Sequence, residues 1–117
     1  MAVTHAFAGL AVVNFADAYD WYTRLLGRPA DMFPHDGEAV WRLTPDCSIY
    51  VVQDAERAGS GLVTIALDDL DAHETRLRQG ELEFTERADG TAPRRLVVRD
   101  IDGNLLTFFE DPARAGE

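Results

Sequence analysis

The sequence predicts an α+β fold of two βαβββ modules. Their eight strands would form a curled mixed sheet around a cleft, with the two helices on its outer faces. Three observations lead there. A strand-then-helix segment occurs twice, with candidate helix caps at Asn14 and Asp69, 69 − 14 = 55 positions apart in a chain of 117 residues. Three strand-like segments follow each predicted helix. Short runs of turn residues separate those segments.

The first module starts with an apolar strand in "AFAGLAVV". Asn14 is the N-cap of the first helix, and Asp17 sits near its positive end. Phe15, Ala18, Tyr19, Tyr22, Leu25 and Leu26 recur at helical spacing, and Gly27 closes the helix in a left-handed conformation. Strand-like segments follow at about 28–33, "EAVWRLT" (38–44) and "CSIYVVQD" (47–54), divided by "PHDG" and "PD". The second module repeats the plan. Leu62, Val63, Ile65 and Leu67 form a strand and Asp69 a cap. Leu70, His73 or Glu74, and Leu77 mark the inner side of the helix, which ends at Gly80. "ELEFTER" (81–87), "RRLVVRD" (94–100) and "NLLTFFE" (104–110) follow, divided by "ADGTAP" (88–93) and "DIDGN" (100–104). "DAERAGSG" (54–61) links the halves. A half of about 55 residues with one helix is a marginal core, so the two halves must pack side by side. One domain is expected over residues 1–117, with modules at about 3–54 and 61–111.

Composition narrows the function classes. Hydrophobic residues make up 46% and charged residues 27%, as in a packed globular chain. No apolar run reaches the roughly 20 residues that span a membrane, and the apolar start has no basic region or cleavage site of a signal peptide. The net charge of −10 argues against a nucleic-acid partner, which needs clustered basic residues. It suits solubility or a cationic ligand. Cys47 is the lone cysteine, so no internal disulfide forms, and a cytoplasmic protein is expected.

The segments "NFADAYDWYTRLLG", "VTIALDDLDA" and "DIDGNLL", spaced within a duplicated chain, resemble the vicinal oxygen chelate superfamily. That superfamily includes glyoxalase I, bleomycin-resistance proteins, extradiol dioxygenases and fosfomycin-resistance enzymes. The resemblance covers about residues 3–111. Ile101 stands where the family pattern "DPDGN" has proline. Proline there only pre-sets the backbone of the turn. Gly103 supplies a positive φ, and the turn fixes the register of the strand that follows.

In the metal-dependent members of the superfamily, His, Gln or Glu side chains on four inner strands converge on a divalent ion. Aligned on caps and turns, this chain has Phe7 and Leu62 at the first-strand positions and Tyr50 and Thr107 at the last-strand positions. None is a usual ligand. Cys47 and Glu110 lie an odd number of residues from those positions and should face away. His5 shares the face of Phe7, whereas His35 falls in a loop and His73 on a helix. One histidine is not a zinc site, so neither metal nor other cofactor is expected, and no catalytic set is assigned. Asp100 and Asp102 are read as turn residues.

The cleft is then apolar and aromatic with a few hydroxyls. Alternation adds Leu105 and Phe109 to the face of Thr107, and Ser48 and Val52 to that of Tyr50. Arg95, Val97 and Arg99 face the cleft, whereas Leu96 and Val98 face the helices. Trp41 is open between the core under a helix and an aromatic wall of the cleft. The expected ligand-binding set is His5, Phe7, Trp41, Ser48, Tyr50, Leu62, Arg95, Arg99, Thr107 and Phe109. The resemblance implies a homodimer whose subunits complete each other's clefts. The leading functional expectation is a metal-independent small-molecule binding protein, with antibiotic sequestration as its role. Two alternatives stand beside it. One is a metal-dependent lyase, isomerase or dioxygenase with unusual ligands around His5. The other is a non-enzymatic interaction module with a filled cleft.

Overall fold

A computed structural model describes residues 1–88 and 93–111, so most of the predicted turn at 88–93 lies outside the described residues. In chain order the elements are β1 (Ala6–Val12), α1 (Phe15–Leu26), β2 (Glu38–Thr44), β3 (Cys47–Gln53), β4 (Leu62–Leu67), α2 (Leu70–Gln79), β5 (Thr85–Arg87), β6 (Arg95–Arg99) and β7 (Leu105–Glu110). They form two mixed sheets, neither closed. The first has the order β1-β3-β2 and the second β4-β7-β6-β5. Each pairs its first and last strands in parallel and the rest antiparallel. This is the expected α+β architecture of repeated modules.

Among the described residues seven strands are present where eight are predicted, and the segment 28–33 is not one of them. It makes a single bridge, Met32 to Val40. The reason lies in the next position along β2. The Arg42 N–H donates to the Asp31 side chain at 2.6 Å, and the Arg28 guanidinium donates to the Arg42 carbonyl. Side chains thus take the backbone groups that a longer ladder would use. The Arg42 N–H, followed by Arg28, holds the Asp31 carboxyl below its ordinary range. In the second module "ELEFTER" shortens to the three residues of β5.

Both predicted caps hold. The Asn14 side chain accepts from the Asp17 N–H at 3.1 Å, and that of Asp69 from Ala72 N–H at 3.0 Å. Gly27 is left-handed with φ 77°. At the end of α2 the left-handed residue is instead Glu81, with φ 57°. The helices meet at their C-terminal ends. Arg24 donates to the Gly80 carbonyl at 2.8 Å and Arg76 to the Leu26 carbonyl at 2.9 Å, a favourable place for cations. Arg94 ties α2 to β5 through Asp71, Glu74 and Glu86.

The core lies between the sheets and their helices. Leu10, Val12, Ile49, Val51 and Trp41 face α1, which contributes Ala18, Trp21, Tyr22 and Leu25. Leu96, Val98, Leu106 and Phe108 face α2 with its Leu70 and Leu77. Burying each large apolar side chain is worth about 1.5–3 kcal/mol. Trp41 takes the first of its two open orientations. It is fully buried, stacks on Tyr19 and donates its indole N–H to the Arg28 carbonyl at 2.9 Å.

The turn "DIDGN" does more than set register. Gly103 has φ 102°, as the tight turn requires. Buried Asp100 accepts from Asp102 N–H and Asn104 N–H on one oxygen, and from the Tyr22 hydroxyl and the Asn104 amide on the other, all at 2.8–2.9 Å. Asn104 donates to the Ala11 carbonyl at 2.8 Å and accepts from Gly61 N–H at 2.7 Å. Asp102 accepts from Val13 N–H at 3.1 Å. A turn of the second module thus fastens β1 and α1 of the first. Burial, then the charge of Asp100, pushes the Tyr22 phenol well above its ordinary value, so it stays a donor.

Candidate functional site

Each sheet has one face covered by its helix and one left open. In the first sheet the open face carries Phe7, Gly9 and Ala11 of β1, Ser48, Tyr50 and Val52 of β3, and Glu38, Val40 and Arg42 of β2. Alternation puts them there, because their neighbours Leu10, Val12, Ile49, Val51 and Trp41 are in the core. In the second sheet the open face carries Leu62, Thr64 and Ala66 of β4, Leu105, Thr107 and Phe109 of β7, Arg95, Val97 and Arg99 of β6, and Thr85 and Arg87 of β5.

The duplication extends to the register. Phe7 lies opposite Ser48, two residues before Tyr50. Leu62 lies opposite Leu105, two residues before Thr107. The open faces leave large apolar side chains in solvent, with Phe7 57% and Leu62 78% exposed. Isolated exposed apolar residues are ordinary, but these two stand at matching positions of the two modules, each on an uncovered sheet face.

Nine of the ten residues expected from sequence are on or beside these faces, and Trp41 is in the core beneath α1. They do not gather at one point. His5, Phe7 and Ser48 share a hollow of about 420 Å³ with Met32, Val40 and Arg42. His5 Nε2 lies 2.8 Å from Ser48 Oγ, and its ring rests against Phe7 with centroids 4.4 Å apart. Tyr50 lines a smaller hollow of about 280 Å³ between the first sheet and the 54–61 link, with Gly9, Val52 and Gly61. Leu62 follows at the start of β4. Arg99 lines a hollow of about 1110 Å³ with Arg87, Val97, Leu105 and the loop 81–84. Arg95, Thr107 and Phe109 lie alongside on the same sheet face.

Sequence reasoning missed Val40, Arg42, Arg87 and Gly9. The first two follow by alternation once Trp41 is known to be core. Gly9 had no signal of its own. A Cβ there would lie 2.3 Å from Tyr50 Cζ, so the tyrosine ring lies across the glycine backbone.

The residues present do not fit the metal of the superfamily's enzymes. Phe7 and Leu62 offer only carbon, and Tyr50 and Thr107 neutral hydroxyls. Among the described residues no group of three or more His, Cys, Asp and Glu side chains could hold an ion. Glu110 faces α2, where it accepts from Leu70 N–H at 3.1 Å and serves as a second cap. Cys47 lines a crevice with His73 rather than the open face.

Two βαβββ modules, each presenting one bare sheet face, define the vicinal oxygen chelate class of fold. A glyoxalase/bleomycin resistance protein from Catenulispora acidiphila DSM 44928 is 34% identical, with 92% of this chain and 98% of that one covered and a TM-score of 0.88. The chain belongs to the glyoxalase/bleomycin resistance protein family. More distant structures share the fold. TnmS3, an antibiotic binding protein from Streptomyces sp. CB03234, is 21% identical over 94% of this chain and 98% of its own, with a TM-score of 0.74. A lactoylglutathione lyase from Agrobacterium tumefaciens is 16% identical over 89% and 90%, with a TM-score of 0.72. Binding proteins and an enzyme thus have one architecture, and the fold does not choose between them. No protein-family model matches the sequence, and no curated protein does. No helix of the described residues is long and apolar enough to cross a membrane.

Proposed function

We propose that this chain is a cytoplasmic small-molecule binding protein that acts without a metal, holds its ligand on the open sheet faces and works as a homodimer. The observation that carries the proposal is the occupancy of the metal-ligand positions by Phe7, Leu62, Tyr50 and Thr107. An apolar surface with a few polar groups suits a small organic ligand. The exposed Phe7 and Leu62 support a second copy packing over them, since a chain of this kind gains by burying such a surface. Hollows of about 420 and 1110 Å³ favour this reading over a filled cleft. The similarity to an antibiotic binding protein supports sequestration of an antibiotic as the role.

Calorimetry and thermal-shift measurements against a panel of antibiotics and small aromatics, each with and without chelator, test this. The expected result is saturable binding that chelation leaves unchanged, from a species of twice the 13.0 kDa chain mass in light scattering. Binding that appears only when a divalent metal is added would overturn metal independence, and a panel with no binder would overturn the ligand reading.

A further inference from the structure

We infer that the ligand is acidic: an apolar aromatic body bearing a carboxylate or similar anion, held by arginines on the open face of the second sheet. The inference rests on the small-molecule reading above and refines it.

All eleven basic residues of the chain are arginine, and ten of them fall in the described region. Six of the ten are engaged by other groups of the chain. Arg24, Arg28, Arg57, Arg78 and Arg94 pair with carboxylates, and Arg76 caps a helix end. The other four are Arg42, Arg87, Arg95 and Arg99, and all lie at open-face positions. Three share one sheet. Arg87 is directly opposite Arg95, and Arg99 is opposite Leu105 one turn of the pleat beyond Val97.

The strand positions of that face carry no acid. They are Leu62, Thr64, Ala66, Thr85, Val97, Leu105, Thr107 and Phe109 beside the arginines. Four acids do line the hollow at Arg99: Glu81, Glu83, Glu86 and Asp100. Asp100 is buried under four donors, and Glu86 is engaged by Arg94. Glu81 and Glu83 are left, exposed on the loop before β5. The floor is therefore cationic and apolar in a chain of net charge −10.

Like charges facing each other across neighbouring strands repel. Arg95 also interacts within the chain, so Arg87 and Arg99 are the principal contacts. Arg87 and Arg99 line one hollow. An acid held there between the two guanidinium groups leaves an aromatic body over Val97 and Leu105, which line it too. The planar guanidinium fork matches a carboxylate with two parallel hydrogen bonds. A cationic ligand would meet the same arginines at a cost, despite the acidic surface elsewhere.

The test uses three probes with one body: 2-naphthoate, 2-naphthamide and 2-naphthylmethylamine, titrated calorimetrically. The acid is expected to bind about tenfold more tightly than the amide, with the amine weakest. Arg99→Gln and Arg87→Gln should each bring the acid-to-amide ratio toward one, and Arg24→Gln on the distant helix should not. An amide bound as tightly as the acid, or an amine bound most tightly, overturns the inference and leaves the small-molecule reading standing. Binding of none of the three overturns the inference, and the wider panel above then decides the small-molecule reading.

Discussion

Replacing Asp100 by asparagine should cost about 3 kcal/mol of stability, and the hydrogen bonds around it give the figure. The carboxylate accepts four donors, two on each oxygen. Asparagine keeps one oxygen for the backbone N–H groups of Asp102 and Asn104. It presents an NH₂ to the Tyr22 hydroxyl and the Asn104 amide, which are both donors. The tyrosine hydroxyl can rotate to accept. Asn104 cannot adapt, because flipping its amide would set donor against donor at Gly61 N–H and acceptor against acceptor at the Ala11 carbonyl. One bond to a charged group is lost, worth about 1.5–3 kcal/mol, and a buried donor is left unmade at about 1–3 kcal/mol. Denaturation followed by the fluorescence of Trp21 and Trp41 measures the loss. Tyr22→Phe alone should cost about 1.5 kcal/mol, and the double variant should be non-additive by about 1 kcal/mol or more. A loss under about 1 kcal/mol for Asp100→Asn, or strict additivity with Tyr22→Phe, would refute the idea that this network fastens the modules.

Two further perturbations probe the crevice and the open face. His73 rests against Phe108 with ring centroids 4.1 Å apart, its Nε2 is buried without a hydrogen-bond partner among the described residues, and burial, then Arg76, lowers its pKa from 6.5 to about 4. The folded state therefore binds fewer protons than the unfolded chain between those values, so stability falls as pH drops from 6.5 toward 4. The full gap corresponds to about 3 kcal/mol, and discounting for partial exposure leaves about 1.5 kcal/mol. His73→Phe should remove that part of the acid loss, seen as a shallower pH dependence of the urea midpoint. An unchanged slope would refute it. Gly9→Ala should displace the Tyr50 ring that lies across it and cost about 1–2 kcal/mol. Adding Tyr50→Ala should relieve that strain, and additive costs in thermal denaturation would refute the contact.

Much of the architecture is legible in the chain because it rests on local chemistry. Asn14 and Asp69 cap their helices through side chains three residues from the N–H they bind. The period of two in β1, β3, β6 and β7 separates Leu10, Ile49, Leu96 and Phe108 in the core from Phe7, Tyr50, Val97 and Thr107 outside. The same parity puts Glu110 on the helix side. The failures are where a residue's partner is distant in sequence. The segment 28–33 has strand-like residues, yet Asp31 and Arg28 take up the backbone of Arg42 and end the ladder. Trp41 satisfies both a core and a surface pattern. Its partners, Tyr19 and the Arg28 carbonyl, decide for the core.

The sequence by itself determined the repeat, the helix limits, and which side chains share a face, since caps and alternation depend on neighbours a few residues apart. It also showed that Phe7 and Leu62 offer a metal no donor atom and Tyr50 and Thr107 only neutral hydroxyls, because side-chain chemistry does not depend on the fold. Only the tertiary structure decided how the modules join, because Asp100 and Asn104 reach residues 78 and 93 positions away. It alone divided the expected ligand residues among separate hollows and brought Arg87 beside Arg95 and Arg99, since those groupings arise from strand pairing between segments that carry no record of each other.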